Sequence, residues 1–291
     1  MRYDVCAIGP ITRESEVFQG TYRVFTGGPP YFFSAALKRL GSEVVVVTKI
    51  SPKDRELVRG LEELGVKVVI RWSRETSSFH TIYGKSLDER HIEVLGVADP
   101  FTVGDLKYCG ESRYIYLGPL TTRDFSPEFM EEARGRAPLI LDVQGFNREV
   151  VDGGVRYVDW PWKVEGSKYV EIFKADANEA RILTGVPDPA KAAEVIASWG
   201  PSEVVVTSSS GVHLYVKGEG SFFAPFKVGE VKGRVGRGDT CLASYVHARL
   251  KGMGCDIAVK FAAAATSLKL TYQGPLKNSE DEVLEFMRRN Y

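Results

Sequence analysis

The residues best suited to chemistry lie late in the chain, where the glycine-rich turn Gly233-Arg234-Val235-Gly236-Arg237-Gly238-Asp239-Thr240 runs straight into a helical pattern that ends near residue 250. Glycines let backbone amides converge, and a helix N-terminus adds partial positive charge, so such a turn suits a phosphoryl group in transfer. Asp239 at its edge can take the proton of an attacking hydroxyl. An Asp or Thr at a helix start is also an ordinary N-cap, so the context has to separate the two readings. Gly236-Arg237-Gly238 lacks the third glycine of a dinucleotide fingerprint, and no Gly-x-x-x-x-Gly-Lys-Ser/Thr loop occurs anywhere. The first apolar run leads into Gly9-Pro10-Ile11-Thr12, with no pyrophosphate turn, which argues against a dehydrogenase. The embedded Arg-Gly-Asp tripeptide is read as coincidence.

The elements that must position this turn are legible as alternating runs. Short β-branched stretches at residues 5–8, 44–50, 66–70, 114–117, 139–143 and 204–207 have the length and composition of strands buried on both faces. Helical patterns at 31–40 and 53–64 end at Gly41 and Gly65, natural C-terminal caps. Alternation of this kind predicts an α/β fold, a parallel sheet covered on both sides. Residues 20–25 and 77–95 break the alternation and read as antiparallel strands that could form a small lid, with a turn at Tyr83-Gly84-Lys85-Ser86. The turns at 152–154 and 217–220 read as loops within one domain spanning 1–291, the lid strands coming from about 12–26 and 77–97.

Composition narrows the partners. The 38 basic and 38 acidic residues cancel, so no net field attracts nucleic acid or an anionic membrane, and any anionic ligand must be held by local groups. The N-terminal residues lack a signal peptide's apolar segment and no run approaches a membrane span, which predicts a cytoplasmic protein. Cys6, Cys109, Cys241 and Cys255 form no Cys-x-x-Cys pair and are expected to be separate thiols; the four histidines show no metal-ligand spacing either. Scarce Asn and Gln beside abundant charged residues is a bias of proteins from hot environments.

With these residues in place, Gly236-Arg237-Gly238-Asp239 resembles the Gly-Ala-Gly-Asp signature of the ribokinase/PfkB family. Other landmarks follow the family's order. Gly27-Gly28-Pro29-Pro30 and the segment ending Leu40-Gly41 are similar to its N-terminal Gly-Gly segment, and Asp176-Ala177-Asn178-Glu179 resembles its Asn-x-x-Glu motif. The run 204–207 leading to Gly211 resembles the nucleotide-side turn, and the alanine-rich stretch 262–267 the helix beside the adenine. The resemblance spans residues 8–274. It implies a ribokinase-like Rossmann-type three-layer α/β/α sandwich with a small β-sheet lid, ATP with Mg2+, and transfer of the γ-phosphate to an alcohol. Residue by residue it implies Asp239 as base, Gly236, Arg237 and Gly238 as anion hole, Thr207, Ser209, Gly211 and Ala263 at ATP, and Asp176 and Glu179 around magnesium, largely through water. A lid of this kind excludes water and suppresses futile hydrolysis.

The departures bear on the substrate. Phe32 stands where the family has Asn, Glu14 where it has an early Asp, Asp176 for the Asn of Asn-x-x-Glu, Arg237 for the small residue of the anion hole, and Ser208-Ser209-Ser210 in a shortened nucleotide-side turn. Asp142-Val143-Gln144-Gly145-Phe146-Asn147-Arg148, with Ala98-Asp99-Pro100-Phe101, resembles the kinases of inositol metabolism. Ligands bind at the C-terminal ends of parallel strands, which puts Gln144 and Arg148 beside substrate with Glu14, Gly27, Gly28 and Phe32. The acceptor is then a sugar, an inositol-class polyol or an inositol-derived keto-sugar acid. A nucleoside kinase, its base stacked on Tyr31, Phe32 or Phe33, is the alternative within the class, and a non-catalytic sugar-binding protein the alternative outside it. An uncovered strand edge invites pairing, so a homodimer through the lid is also expected.

Overall fold

Strand residues that alternate between two apolar faces need a covering layer on each side, and the computed structural model, which describes residues 2–18, 20–84 and 90–291, supplies both. Along β1 (Arg2–Ile8) and β4 (Val44–Ile50), Val5, Ala7, Val44 and Val46 point to one core, while Cys6, Ile8, Val45 and Val47 point to the other. The first core is roofed by helices α1 (Pro29–Arg39), α2 (Arg59–Glu63), α7 (Arg237–Leu250), α8 (Cys255–Leu270) and α9 (Glu280–Asn290). The second is roofed by α3 (Pro127–Arg134), α5 (Ala177–Thr184) and α6 (Pro189–Ser198), with the short α4 (Lys163–Ser167) beside them.

The sheet has nine strands. It adds β5 (Lys67–Trp72), β8 (Glu111–Leu117), β9 (Leu139–Asp142), β12 (Val170–Asp176), β13 (Glu203–Thr207), β14 (Gly211–Val216) and β15 (Gly220–Pro225), in the order β15-β14-β13-β12-β9-β8-β1-β4-β5. All pairings are parallel except β13 with β14 and β14 with β15. All six strands read from the sequence are present. The helix read at 53–64 is instead a 3-10 segment, Pro52–Val58, followed by α2, because Asp54 leaves helical geometry (φ −111°, ψ 20°) where it pairs with Arg13.

Among the described residues a second sheet has six strands, in the order β10-β11-β7-β6-β2-β3. Its strands β2 (Thr12–Phe18), β3 (Thr21–Gly27), β6 (Ser78–Tyr83) and β7 (Arg90–Gly96) fall in the stretches read as a lid. Part of the turn read after Tyr83 lies outside the described residues. The turn read at 152–154 belongs to the lid. It closes a hairpin of β10 (Arg148–Val151) and β11 (Gly154–Tyr157) that extends the lid, Asp152 (φ 50°) and Gly153 (φ 74°) giving the paired positive φ values of a tight hairpin turn. The thiols of Cys6 and Cys109 are not separate. They form a disulfide across 103 residues, with Cα atoms 5.2 Å apart, because β1 and the end of the 3-10 segment Val103–Cys109 meet in the second core. Among the described residues, no helix is long and apolar enough to cross a membrane.

Candidate active site

The C-terminal ends of β12 and β13, the segment after β9, the starts of α1 and α7 and the lid strands enclose a cleft of about 360 Å³. Most residues singled out from the sequence meet there: Glu14, Gly28, Phe32, Gln144, Arg148, Asp176, Thr207, Gly236, Arg237, Gly238 and Asp239 line it. Gly27, Glu179, Ser209, Gly211 and Ala263 do not.

The floor is the first turn of α7. Gly236 caps the helix in the left-handed conformation (φ 78°), and no side chain caps the turn; the Arg237 N–H donates to Arg234 O (3.1 Å), which leaves the N–H groups of Gly236 and Gly238 to the cleft. A Cβ at Gly236 would lie 2.3 Å from Phe32 Cδ1, so the ring of Phe32 sets where the turn sits. Asp239 belongs to this turn. Burial and the neighbouring Asp142 push its carboxyl upward from the ordinary Asp value, while Lys174 and Lys269 pull the other way.

Lys174 is the main residue that sequence reading missed. It lies on β12, 3% exposed, with Nζ 2.8 Å from Asp142 and 3.9 Å from Glu179, and a Cβ at Gly238 would come within 2.8 Å of it. Burial alone would lower its pKa, but Asp142, Glu179 and Asp239 raise it and keep it charged. Its signal was a lysine set among Ile172, Phe173 and Ala175, two residues before Asp176. Asp142 also accepts from the Gln144 N–H (3.1 Å), so the ion pair fixes the loop that carries Gln144.

Asp176 and Glu179 form a reciprocal cap on α5. Asp176 Oδ1 accepts from the Glu179 N–H (2.8 Å), and Glu179 Oε2 accepts from the Asp176 N–H (2.7 Å). Glu179 is 2% exposed, whereas Asp176 faces the cleft. Among the described residues, no cluster of three acidic, His or Cys side chains could hold a metal. One cleft-facing carboxylate still fits a magnesium ion that keeps most of its waters and takes its other ligands from phosphate.

At the lid end, Thr12 donates to Glu14 Oε1 (2.6 Å), and burial raises the Glu14 carboxyl to about 7, with the Thr12 hydrogen bond and Arg148 opposing. Gly27 leaves space for that side chain, since a Cβ there would lie 2.4 Å from Glu14 Cγ. Arg148, over the Tyr157 ring, has a buried Nε without a hydrogen-bond partner, and Thr207 Oγ1, on the opposite wall, is likewise buried and unpartnered. Hydrogen-bonding capacity thus remains at both ends of the cleft.

Residues 5–282 match the pfkB family of carbohydrate kinases. The chain belongs to that family. Over 97% of its length this kinase superposes, with a TM-score of 0.90 and 33% identity, on 99% of a pyrophosphate-dependent kinase in the ribokinase family solved as a sulfate complex. A pyrophosphate-dependent kinase in the ribokinase family, complexed with a pyrophosphate analog and myo-inositol, matches at 31% identity and a TM-score of 0.88, covering 97% of this chain and 99% of that one. Arabidopsis thaliana ribokinase, complexed with ribose and ATP, shares the ribokinase-like fold at 18% identity and a TM-score of 0.79 over 99% of each chain. The curated ribokinase of Haemophilus influenzae is 30% identical over 126 residues, which span 40% of this kinase and 41% of that protein.

On the side where the resemblance implied adenine, several segments are tied together. The 208–211 turn is tied to the end of β15 by the Phe226 N–H, which donates to Ser210 O (2.9 Å). The Lys227 N–H donates to Ser267 Oγ on α8 (2.9 Å), and the Tyr291 hydroxyl to Pro225 O (2.6 Å). Ala263 is fully buried, and a Cβ at Gly211 would lie 2.3 Å from Ala224 O. The turn, the 225–227 segment, α8 and the C-terminal residue are therefore joined to one another.

Proposed function

We propose that this kinase transfers a phosphoryl group from magnesium pyrophosphate to a hydroxyl of an inositol-class polyol, with Asp239 as general base. The observation that carries the choice of donor is the joining of 208–211 to α8 through 225–227 and Tyr291, which leaves Ser209, Gly211 and Ala263 outside the cleft. A donor without a nucleoside needs no slot there. The pyrophosphate-dependent relatives, at 31–33% identity, support the same reading, and the one complexed with myo-inositol supports the acceptor class.

The roles follow from position. The donor phosphates rest on the helix start at Gly236, Arg237 and Gly238, met by the Gly236 and Gly238 N–H groups, since that of Arg237 donates to Arg234 O (3.1 Å), and Thr207 Oγ1 lines the same cleft. Developing charge on the transferred group is met by that helix terminus and by Arg237. Magnesium, when bound, neutralises phosphate charge and is held by Asp176, with Glu179 acting behind it through the cap. The acceptor lies under the lid against Glu14, Gln144 and Arg148, the spare Nε of Arg148 suiting a hydroxyl oxygen. Asp239 then takes the hydroxyl proton, and its raised proton affinity, caused by burial and Asp142, suits a base working near neutral pH. Lid closure keeps water from competing as acceptor. The outer lid face shows Tyr22, Val24, Ile82 and Leu95 at 61, 52, 40 and 66% exposure, which supports pairing of two copies there.

The test is an acceptor-dependent phosphorylation assay with pyrophosphate or ATP as donor and inositols, keto-sugar acids, ribose and nucleosides as acceptors. Pyrophosphate-driven transfer to an inositol is expected. Transfer driven by ATP with equal efficiency would overturn the donor assignment, and a preference for nucleosides would overturn the acceptor.

A further inference from the structure

Lys269 enters the chemistry above only through its charge near Asp239, yet it is a fully buried lysine whose hydrogen bonds go to backbone carbonyls. Its ammonium, near the end of α8, donates to Gly233 O (2.6 Å) and Val235 O (2.5 Å), both in the loop that leads into Gly236, Arg237 and Gly238. The same loop is seated on α8 by backbone contacts. The Lys232 N–H donates to Leu270 O (2.8 Å), and a Cβ at Gly233 would fall 2.2 Å from Tyr272 O. In a trans peptide unit the N–H points opposite to the C=O, so turning the carbonyls of Gly233 and Val235 onto Lys269 turns the N–H groups of Arg234 and Gly236 away from α8. Both residues line the cleft.

A buried ammonium is costly, and burial together with Arg237 lowers this one to about 8 although Asp239 supports it. A single positive charge received by two backbone carbonyls resembles the coordination of a potassium- or ammonium-sized ion. We propose that Lys269 is a resident monovalent cation: its ammonium, between the carbonyls of Gly233 and Val235, orders the anion-hole loop and replaces any free ion. This rests on the reading that the loop binds the transferring phosphate. Lys269 is a positioning residue, since it acts through the loop.

The experiment compares the full-length wild type with Lys269→Met, which keeps bulk without charge, and Lys269→Ala, which leaves room for an ion. Each is measured for pyrophosphate-driven transfer to myo-inositol, for hydrogen exchange of amides 234–239 and for melting temperature, in buffers free of alkali cations and with potassium, ammonium or methylammonium added. The wild type is expected to ignore the cations. Lys269→Met should lose about 10²-fold in kcat, the scale of a lost anion-hole donor, with faster exchange at 234–239. Lys269→Ala should regain about tenfold, and its slow exchange, with one of the cations. Lys269→Met activity within about threefold of wild type, or failure of every cation to restore Lys269→Ala in both readouts, overturns the proposal. So does several-fold stimulation of the wild type by potassium, an arm that decides alone if neither variant folds. If the wild type transfers phosphate from no donor, the function proposed above fails while loop exchange still decides the role of Lys269.

Discussion

Replacing Gly236 with alanine tests the placement of the anion hole directly. The new Cβ would have to adopt φ near 78°, a left-handed conformation that costs an L-residue about 1–2 kcal/mol. It would also sit 2.3 Å from Phe32 Cδ1 and 2.5 Å from Cγ, on a ring that is 3% exposed, an overlap of the kind that costs about 1–3 kcal/mol in a packed core. The sum is about 2–5 kcal/mol. Relief requires the turn and the ring to separate by about 1 Å, and displacement on that scale typically costs about 10²-fold in rate. In the pyrophosphate–inositol assay, Gly236→Ala is therefore expected to drop kcat about 10²-fold and to melt several degrees lower, at about 2–4 °C per kcal/mol for a chain of this size. Adding Phe32→Leu removes the ring edge and should recover about tenfold of the rate, while the conformational cost stays. Undiminished turnover in Gly236→Ala, or a double variant no better than the single, would refute the argument that Phe32 positions the phosphate-binding turn.

Asp239→Asn should fold and bind pyrophosphate while transfer falls by at least about 10²-fold; turnover within a few-fold of wild type removes Asp239 as base. Lys174→Met strands Asp142 and Glu179 in a buried site and should destabilise by about 3–5 kcal/mol in denaturant titration, with Asp142→Asn in the same chain restoring part of it; an unchanged midpoint contradicts the ion-pair role. Glu14 has a folded pKa of about 7 against 4.5 for the free group, so the folded state holds its proton more tightly. Its contribution to stability is fully present below about pH 4.5 and is lost as pH rises through 7, so the melting temperature of Glu14→Gln should gain on wild type between pH 5 and 8; parallel pH profiles would contradict the shift. Chelating magnesium should abolish transfer, and Asp176→Asn should raise the magnesium concentration needed by about tenfold, an effect absent if the carboxylate holds no ion.

Much of this kinase is legible in its sequence because the determinants are local. The buried parallel strands show as apolar β-branched runs, and the Gly236 to Asp239 turn shows as glycines whose backbone freedom is a property of residue type. The turn at Asp152-Gly153 was legible only as a loop; pairing of its flanking strands with each other and with β7 makes it a hairpin of the lid. What tertiary structure alone decided are meetings across long separations. Cys6 and Cys109 bond because β1 and a distant 3-10 segment share one core, and no spacing rule foretells that. Lys174 and Lys269 look like ordinary lysines until the fold buries one against Asp142 and the other against Gly233 and Val235, where desolvation makes each dependent on its partners. The resemblance of 204–211 to a nucleotide-side turn is legible in the sequence, yet only the fold brings Tyr291, 66 residues on, against Pro225 O beside it. Residue type is local information, whereas the environment that gives a charge or a motif its chemistry is assembled from the whole chain.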